Sequence, residues 1–342
     1  MHKILDVTKP PIDLFFHIDI PLTILYGDVC THSWIYSNYM QLYTTINPHL
    51  TDQCFIDFFH SINGTFRFLE LSSCPWINFE KISIRDVTKK WDSIIEFIEE
   101  KINEEKYIGI TVNTSNISNY DFSALHNLFI YGYDNAQQLF YATDHFRNGV
   151  YDFESIKYSE LSNAIWYPHQ NEVSWGNLEG VWLFSKIKRT HENIYGLNIK
   201  KIIYDFKCYT RLEGSIFSQD KYYAYGLDCY DNLLLLYNNI MKNGKFCDVK
   251  GIYTECAHKK LMVDRLIYLN EKSFSIKHSF IEEYKEIYKS LETAQMFTIK
   301  YNKTINLSIL PKIIELISCV KEKEKELNTL IISDLSKYDN YQ

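Results

Sequence analysis

The residues with the clearest chemical potential are one cysteine, one histidine and one aspartate, which follow each other along the chain as Cys30, His126 and Asp144. A thiol becomes a nucleophile when a neighbouring base takes its proton. An acceptor behind that base fixes the tautomer of the imidazole and stabilises its charged form. These residue types therefore predict a nucleophile, a base and an orienting carboxylate, provided that the fold brings them together.

Cys30 lies in the stretch GDVCTHSWIYSNYMQLY, residues 27 to 43, where Gly27 and Asp28 precede it. Gly27 permits a sharp turn, and the side chain of Asp28 can cap a helix by accepting from the N–H of Cys30 or Thr31. In a first helical turn, unpaired N–H groups and the helix dipole favour a thiolate. The helix would bury an apolar side that continues through Trp34, Tyr39 and Leu42. The alternative interpretation is an inert core cysteine.

His126 and Asp144 lie at the two open ends of a predicted β-hairpin. The segments LHNLFIYGYD and QLFYATD are typical of strands, and the short turn after Asp134 predicts that they pair antiparallel. His126 stands near the start of the first strand and Asp144 at the end of the second, so the hairpin places them side by side. Taken separately, His126 could pack under a loop and Asp144 could cap a turn.

The surrounding pattern predicts an α+β protein with an antiparallel sheet, followed by a helical C-terminal region. Strands are expected at KYIGITVN and GVWLFSKIK, helices at VTKKWDSIIEFIEEKINEE and FESIKYSELSNAI, and a polar loop, TSNISNYDFSA, between the first strand and the hairpin. We assign residues 1–188 to a catalytic domain and 189–342 to the helical region. The helical segments are ENIYGLNIKKIIYDFKCYTRL, DCYDNLLLLYNNIMKN, TECAHKKLMVDRLIYLNEK, IEEYKEIYKSLETAQMFTIKY and PKIIELISCVKEKEKELNTLI.

Composition excludes several classes of protein. The net charge of −7 argues against a general nucleic-acid binder, and no apolar run is long enough to predict a membrane span. The N-terminus lacks the pattern of a secretory signal, so a cytoplasmic location is expected. The eight cysteines contain no C-x-x-C motif, which favours reduced thiols. Cys256 and His258 lack further ligands at metal-binding spacing, so we expect neither a metal nor a cofactor.

The two motifs together resemble the papain-like, C39-like clan of cysteine enzymes. The resemblance rests on Cys30 followed by Trp34, on HNLFIYGYDNAQQLFYATD at 126 to 144, and on the order Cys, His, Asp. It implies a papain-like cysteine protease fold with Cys30, His126 and Asp144 as catalytic residues. The layout of such a domain followed by helices is similar to butirosin-type acyltransferases and to closthioamide-type thiotemplated amide synthases.

This resemblance implies an acyltransferase that forms amide bonds in natural-product biosynthesis. Its acyl donor would be a thioester on an acyl or peptidyl carrier protein, which brings its own phosphopantetheine, and its acceptor a small amine. An acyl-Cys30 intermediate is expected. The alternatives are a peptidase or thioesterase that uses the same three residues, and a binding module that keeps the fold without chemistry.

Two further features bear on this resemblance. Papain-like enzymes place a glutamine six positions before the cysteine as an oxyanion donor, but this chain has Ile24 there. The N–H of Cys30 would supply one donor, and the second is unidentified. The stretch KIKRTHENIYGLNIKK, residues 186–201, is either a basic docking patch for an acidic carrier protein or a solvated linker.

Overall fold

A computed structural model describes residues 1–45, 53–58, 74–165, 180–187, 195–210 and 223–338. These residues form an α+β structure with ten helices and ten strands. The helices are α1 (Phe16–Leu25), α2 (His32–Ser37), α3 (Ile84–Lys90), α4 (Ile94–Asn103), α5 (Tyr158–Ala164), α6 (Ile199–Tyr209), α7 (Cys229–Asn243), α8 (Lys250–Glu271), α9 (His278–Thr304) and α10 (Leu310–Leu335). The strands are β1 (His2–Ile4), β2 (Leu42–Thr45), β3 (Ile56–Phe58), β4 (Ile77–Ile82), β5 (Lys106–Asn113), β6 (Leu125–Asp134), β7 (Leu139–His145), β8 (Tyr151–Lys157), β9 (Val181–Lys186) and β10 (Tyr223–Tyr225).

The chain divides into two units, and each is made of two segments. Unit 1 contains Met1–Thr31 and Phe68–Ile194, and unit 2 contains His32–Arg67 and Tyr195–Gln342. The chain passes for the last time from unit 1 to unit 2 between Ile194 and Tyr195, close to the boundary expected at residues 188 and 189. The assignment of His32–Arg67 to unit 2 was not expected, because all of residues 1–188 were predicted to form one domain.

Unit 1 contains an antiparallel sheet of seven described strands, in the order β4-β9-β5-β6-β7-β8, with β1 pairing the far end of β6. The strands expected at KYIGITVN and LHNLFIYGYD are β5 and β6, and the expected hairpin is β6 with β7. Asp134 closes its turn by accepting from the N–H groups of Ala136 and Gln137, at 2.9 and 3.1 Å. The strand expected at GVWLFSKIK is β9.

Two expected helices of unit 1 differ from the structure. The segment expected as one helix over VTKKWDSIIEFIEEKINEE contains the end of α3 and all of α4, because Ser93 caps a new helix by accepting from the N–H of Glu96 at 3.1 Å. The segment FESIKYSELSNAI is half strand, since β8 pairs with β7 along its whole length before α5 begins.

Unit 2 contains the five helices α6 to α10, as expected from the sequence, and a small described sheet in the order β10-β2-β3. Pro311 occupies the first turn of α10, where the missing proline N–H costs nothing. The helix that was expected to continue to Leu42 ends at Ser37, and Leu42 begins β2. The reason is the buried guanidinium of Arg265 on α8, which donates to the carbonyls of Tyr36, Asn38 and Tyr39 at 2.8, 2.5 and 3.1 Å.

A fully buried ion cluster lies among the helices of unit 2. The ammonium of Lys259 lies 3.1 Å from Glu255 and 3.0 Å from Glu324, and it donates to the hydroxyl of Tyr209 and to Nδ1 of His258. Burial raises the pKa of Glu255 to about 6, although Lys259 opposes the shift. Burial and the adjacent Lys259 lower the pKa of His258, which stays neutral and donates from Nε2 to the carbonyl of Met40 at 2.7 Å.

The raised pKa of Glu255 predicts that the stability of unit 2 depends on pH. The pKa of Glu255 rises from 4.5 in the unfolded chain to about 6 in the folded one. The free energy of unfolding therefore falls as pH rises between these values, because the carboxyl ionises there only in the unfolded chain. The loss amounts to about 2 kcal/mol. We expect Glu255→Gln to remove this decline, measured by urea unfolding at pH 4.5, 5.5 and 6.5, whereas the exposed control Glu283→Gln should keep it. An unchanged pH slope in Glu255→Gln would contradict this assignment.

Candidate active site of unit 1

His126 and Asp144 are in direct contact, as the hairpin predicted. Nδ1 of His126 lies 2.7 Å from Oδ2 of Asp144. Phe129 of β6 pairs with Thr143 of β7, and the next pair in that register is Leu128 with Asp144. His126 lies two residues further along the same face of β6, and such diagonal neighbours are within reach of long side chains. The contact therefore depends on this register, which a bulge between Ile130 and Gly132 shifts by one residue from the register at the turn.

Asp144 accepts two further hydrogen bonds besides that from His126. The hydroxyl of Tyr120 donates to Oδ2, and the backbone N–H of His145 donates to Oδ1 at 2.7 Å. Asp144 is buried, with 6% of its side chain exposed, so these donors replace the water that a carboxylate needs. Burial raises the pKa of Tyr120 and the Asp144 charge adds to the shift, so Tyr120 remains a protonated donor.

The imidazole of His126 is more accessible than its carboxylate partner, with 36% of the side chain exposed. A proton on Nδ1 is the one that an ionised Asp144 can accept, which makes Nε2 the basic nitrogen. Phe122 lies edge-on to the imidazole, with ring centroids 5.7 Å apart. The pair thus has the geometry of an oriented base, with a buried carboxylate on one side and an accessible ring on the other.

The polar loop expected beside the site, residues 114–124, holds Tyr120 and Phe122 over the hairpin. Thr114 fastens the loop, because its hydroxyl donates to the carbonyl of Phe122 at 2.7 Å and accepts from the N–H of Ala124 at 2.9 Å. Arg147 donates to the carbonyl of Ser118 at 3.1 Å. These bonds fix the positions from which Tyr120 and Phe122 reach His126 and Asp144.

A second layer of buried groups, which the sequence analysis did not identify, lies behind Asp144. Nδ1 of His145 is 3.9 Å from Oδ1 of Asp144 and 3.8 Å from Oδ2 of Asp19, which lies on α1. Burial raises the pKa of Asp19 well above its ordinary range, against the hydrogen bond from the N–H of Leu14. Burial also lowers the pKa of His145, so this second imidazole favours its neutral form.

Cys30 is exposed and lies in a short turn, Val29–Thr31, before α2. The expected cap is confirmed, because Oδ1 of Asp28 accepts from the N–H of Cys30 at 3.1 Å. That N–H is therefore already committed to Asp28, although the sequence analysis expected it to serve as an oxyanion donor. Burial alone would raise the pKa of Asp28, but the Cys30 N–H and the Lys186 ammonium outweigh it and lower that pKa.

The Asp28 side chain also shows where the Cys30 turn is anchored. Oδ2 of Asp28 lies 3.3 Å from Nζ of Lys186, the last residue of β9. Ser185 pairs with Lys106 at the start of β5, whereas His126 pairs with Val112 near its end. Six residues of strand separate these positions, which is about 20 Å. The structure thus brings His126 and Asp144 together and anchors the Cys30 turn on the side chain of Lys186, and contact between Cys30 and His126 stays a prediction.

Other expected features can be located only in part. In the described part of the chain, no group of three metal-ligating side chains is arranged around a common point. No helix among the described residues has the length and hydropathy needed to cross a membrane. Residues 188–194 of the basic stretch lie outside the described residues.

The sequence was compared with protein-family models and with curated proteins, and it matches none of them. The resemblance to the papain-like clan therefore depends on the residues quoted above.

Proposed function

We propose that unit 1 is the catalytic unit of an amide-forming acyltransferase with a papain-like fold. The observation that carries the proposal is the 2.7 Å hydrogen bond between His126 and the buried Asp144, because an oriented, partly exposed imidazole is a general base. The substrate class comes from the resemblance of the two motifs: the acyl donor is a carrier-protein thioester, and the acceptor is a small amine.

The reaction needs one base and one acid. The amine nitrogen attacks the thioester carbonyl, and Nε2 of His126 takes the proton that the nitrogen loses. The carbon–sulfur bond then breaks, and the proton passes to the sulfur of the departing phosphopantetheine. Asp144 stabilises the imidazolium between these steps. Base catalysis of this kind contributes about 10²- to 10⁴-fold in rate. The phosphopantetheine belongs to the carrier protein, and the proposal gives the enzyme no cofactor of its own.

Two routes lead to this product. The route predicted from the sequence passes through an acyl-Cys30 intermediate. In the second route, the amine attacks the carrier thioester directly.

Cys30→Ala separates the two routes. In the direct route we expect the variant to form amide within about threefold of the wild-type rate, because the base and its carboxylate are unchanged. Intact-protein mass spectrometry should find no acyl adduct on the wild type during turnover. The matched control is Cys319→Ala, which removes the other exposed thiol. An acyl adduct on Cys30, together with loss of amide formation in Cys30→Ala, would establish the acyl-enzyme route instead.

Product analysis separates the transferase from the alternatives. The enzyme is mixed with an acyl thioester on a carrier protein, and amide and free acid are measured as the amine concentration rises. A transferase yields amide that saturates in amine, with hydrolysis as a minor leak. Free acid at every amine concentration, or efficient peptide cleavage, would instead identify a thioesterase or peptidase. No turnover with any acyl carrier would favour a binding module.

The remaining parts of the proposal concern partners and location. We propose that the carrier protein and the amine are the partners, that neither nucleic acid nor a membrane is involved, and that the enzyme is cytoplasmic. The net charge of −7 supports the exclusion of nucleic acid, because binding to nucleic acid depends on positive charge.

A further inference from the structure

Tyr120 contacts both members of the His126–Asp144 pair. Its hydroxyl donates to Oδ2 of Asp144, the same oxygen that lies 2.7 Å from Nδ1 of His126. Its ring lies edge-on to the imidazole, with centroids 6.4 Å apart. One side chain therefore constrains the carboxylate through a hydrogen bond and the imidazole through ring contact.

The position of Tyr120 is set by the rest of the unit. Its N–H donates to the carbonyl of Ile117 at 3.2 Å, and its ring packs on Phe146 at a centroid distance of 5.0 Å. The loop is tied at a further point, since Asp121 accepts from the N–H of Asn148 at 2.7 Å. Tyr120 is itself buried, with 9% of its surface exposed. A hydroxyl held in this way stays on Asp144 without the entropy cost of ordering a mobile side chain.

A hydrogen bond from tyrosine disperses the negative charge of Asp144. The carboxylate then attracts the imidazolium less strongly than it would without this hydrogen bond, so His126 releases its proton more readily. The other titratable groups that interact with the pair are His145 from β7, Asp19 from α1 and Tyr151 from β8, and Asp13 from the segment before α1 interacts with Asp19 and His145. Tyr120 differs from these four because its hydroxyl donates directly to the oxygen that His126 uses.

We propose that Tyr120 is a positioning residue of the acyl-transfer centre. It holds the side chains of Asp144 and His126 in their relative orientation and reduces the negative charge that Asp144 presents to the imidazole. The assignment rests on the proposed function only for its catalytic consequence. The geometric and electrostatic part concerns the resting protein and can be measured without substrate.

The test is an NMR titration of the full-length protein with ¹³C-labelled histidine. The signal of His126 is identified by its loss in His126→Gln, and its midpoint is compared between the wild type and Tyr120→Phe. We expect the midpoint in Tyr120→Phe to move upward by about half a pH unit, because one donor to Asp144 is lost. The matched control is Tyr133→Phe, which removes a buried hydroxyl of the same sheet that donates to Asn103 at 2.9 Å. This control should leave the midpoint unchanged.

A second variant keeps the test decisive if Tyr120→Phe fails to fold. 3,5-Difluorotyrosine placed at position 120 keeps the ring and strengthens the hydroxyl as a donor, so the midpoint should move downward. Opposite shifts for the two variants support the proposal, and an unmoved midpoint in a folded variant overturns it. With substrate, Tyr120→Phe should lower kcat about tenfold with little change in KM. A shifted midpoint in a protein that shows no transfer activity would contradict the proposed function but not the role of Tyr120.

Discussion

Asp144→Asn should lower the rate of amide formation about 10³- to 10⁴-fold while unit 1 remains folded, as loss of the orienting carboxylate does in other His–Asp centres. The asparagine amide cannot stabilise the imidazolium, and it can turn its NH₂ group toward Nδ1 and so favour the wrong tautomer. With the NH₂ group in the place of Oδ2, the carbonyl oxygen in the place of Oδ1 still accepts from the N–H of His145, and the Tyr120 hydroxyl can rotate to accept from the NH₂ group, which limits the structural change.

The matched control is Asp152→Asn, which alters the residue of β8 that pairs with Asp144 of β7. Asp152 is exposed and its side chain accepts from its neighbour, the N–H of Phe153, at 2.8 Å. Steady-state rates and circular dichroism should show a folded, nearly fully active control. If Asp144→Asn keeps wild-type turnover, Asp144 is a structural residue and the base, if any, lies elsewhere.

Arg265→Met should cause a large loss of stability of unit 2, about 3–5 kcal/mol. Methionine fills much of the volume but leaves the carbonyls of Tyr36, Asn38 and Tyr39 without their buried donor. The cost is reduced because a buried guanidinium is itself unfavourable: burial lowers the pKa of Arg265 to about 10.

Chemical denaturation monitored by tryptophan fluorescence measures this loss. The control is Lys321→Met, which removes a partly exposed ammonium 2.6 Å from Asp231 and should cost less than about 1 kcal/mol. Equal stability of the two variants would show that the end of α2 does not depend on Arg265.

The hairpin was predictable because its information is local. Alternating apolar residues fix two strands, and a short turn joins them. The final register was not predictable, because a bulge between Ile130 and Gly132 shifts it by one residue and so puts Asp144 on the same face as His126. Helices α6, α7, α9 and α10 of unit 2 were predictable for the same reason as the hairpin, since each carries its own apolar periodicity, whereas α8 is buried on most of its faces.

The position of Cys30 depends on contacts that are distant in sequence. Gly27 and Asp28 were correctly assigned to a turn and a cap, but nothing near them specifies Lys186, which lies about 160 residues further along the chain. A Cβ at Gly27 would lie 2.3 Å from the hydroxyl of Thr8, so the turn also needs glycine for a close approach that local pattern does not reveal.

Asp19, His145 and Tyr120 could not be assigned from sequence for related reasons. Asp19 lies in a run of apolar residues that is buried on all sides, so α1 shows no amphipathic period, and Pro21 argues locally against a helix. The one available signal was the single carboxylate in that run, because a buried acid needs a partner. Tyr120 lies in a loop whose path depends on Thr114, Arg147 and Asn148.

The proposed role of His126, oriented by Asp144, is that of the base in an amide-forming acyl transfer. Its most direct test compares wild-type protein and His126→Gln on the same carrier-bound acyl thioester and amine, with amide measured by mass spectrometry under single-turnover conditions. We predict amide from the wild type, saturable in amine, and a rate lower by about 10³-fold or more in a folded His126→Gln variant, because Asp144 acts only through His126. Equal rates for the two proteins, or acyl thioester that is never converted to amide by the wild type, would contradict the account.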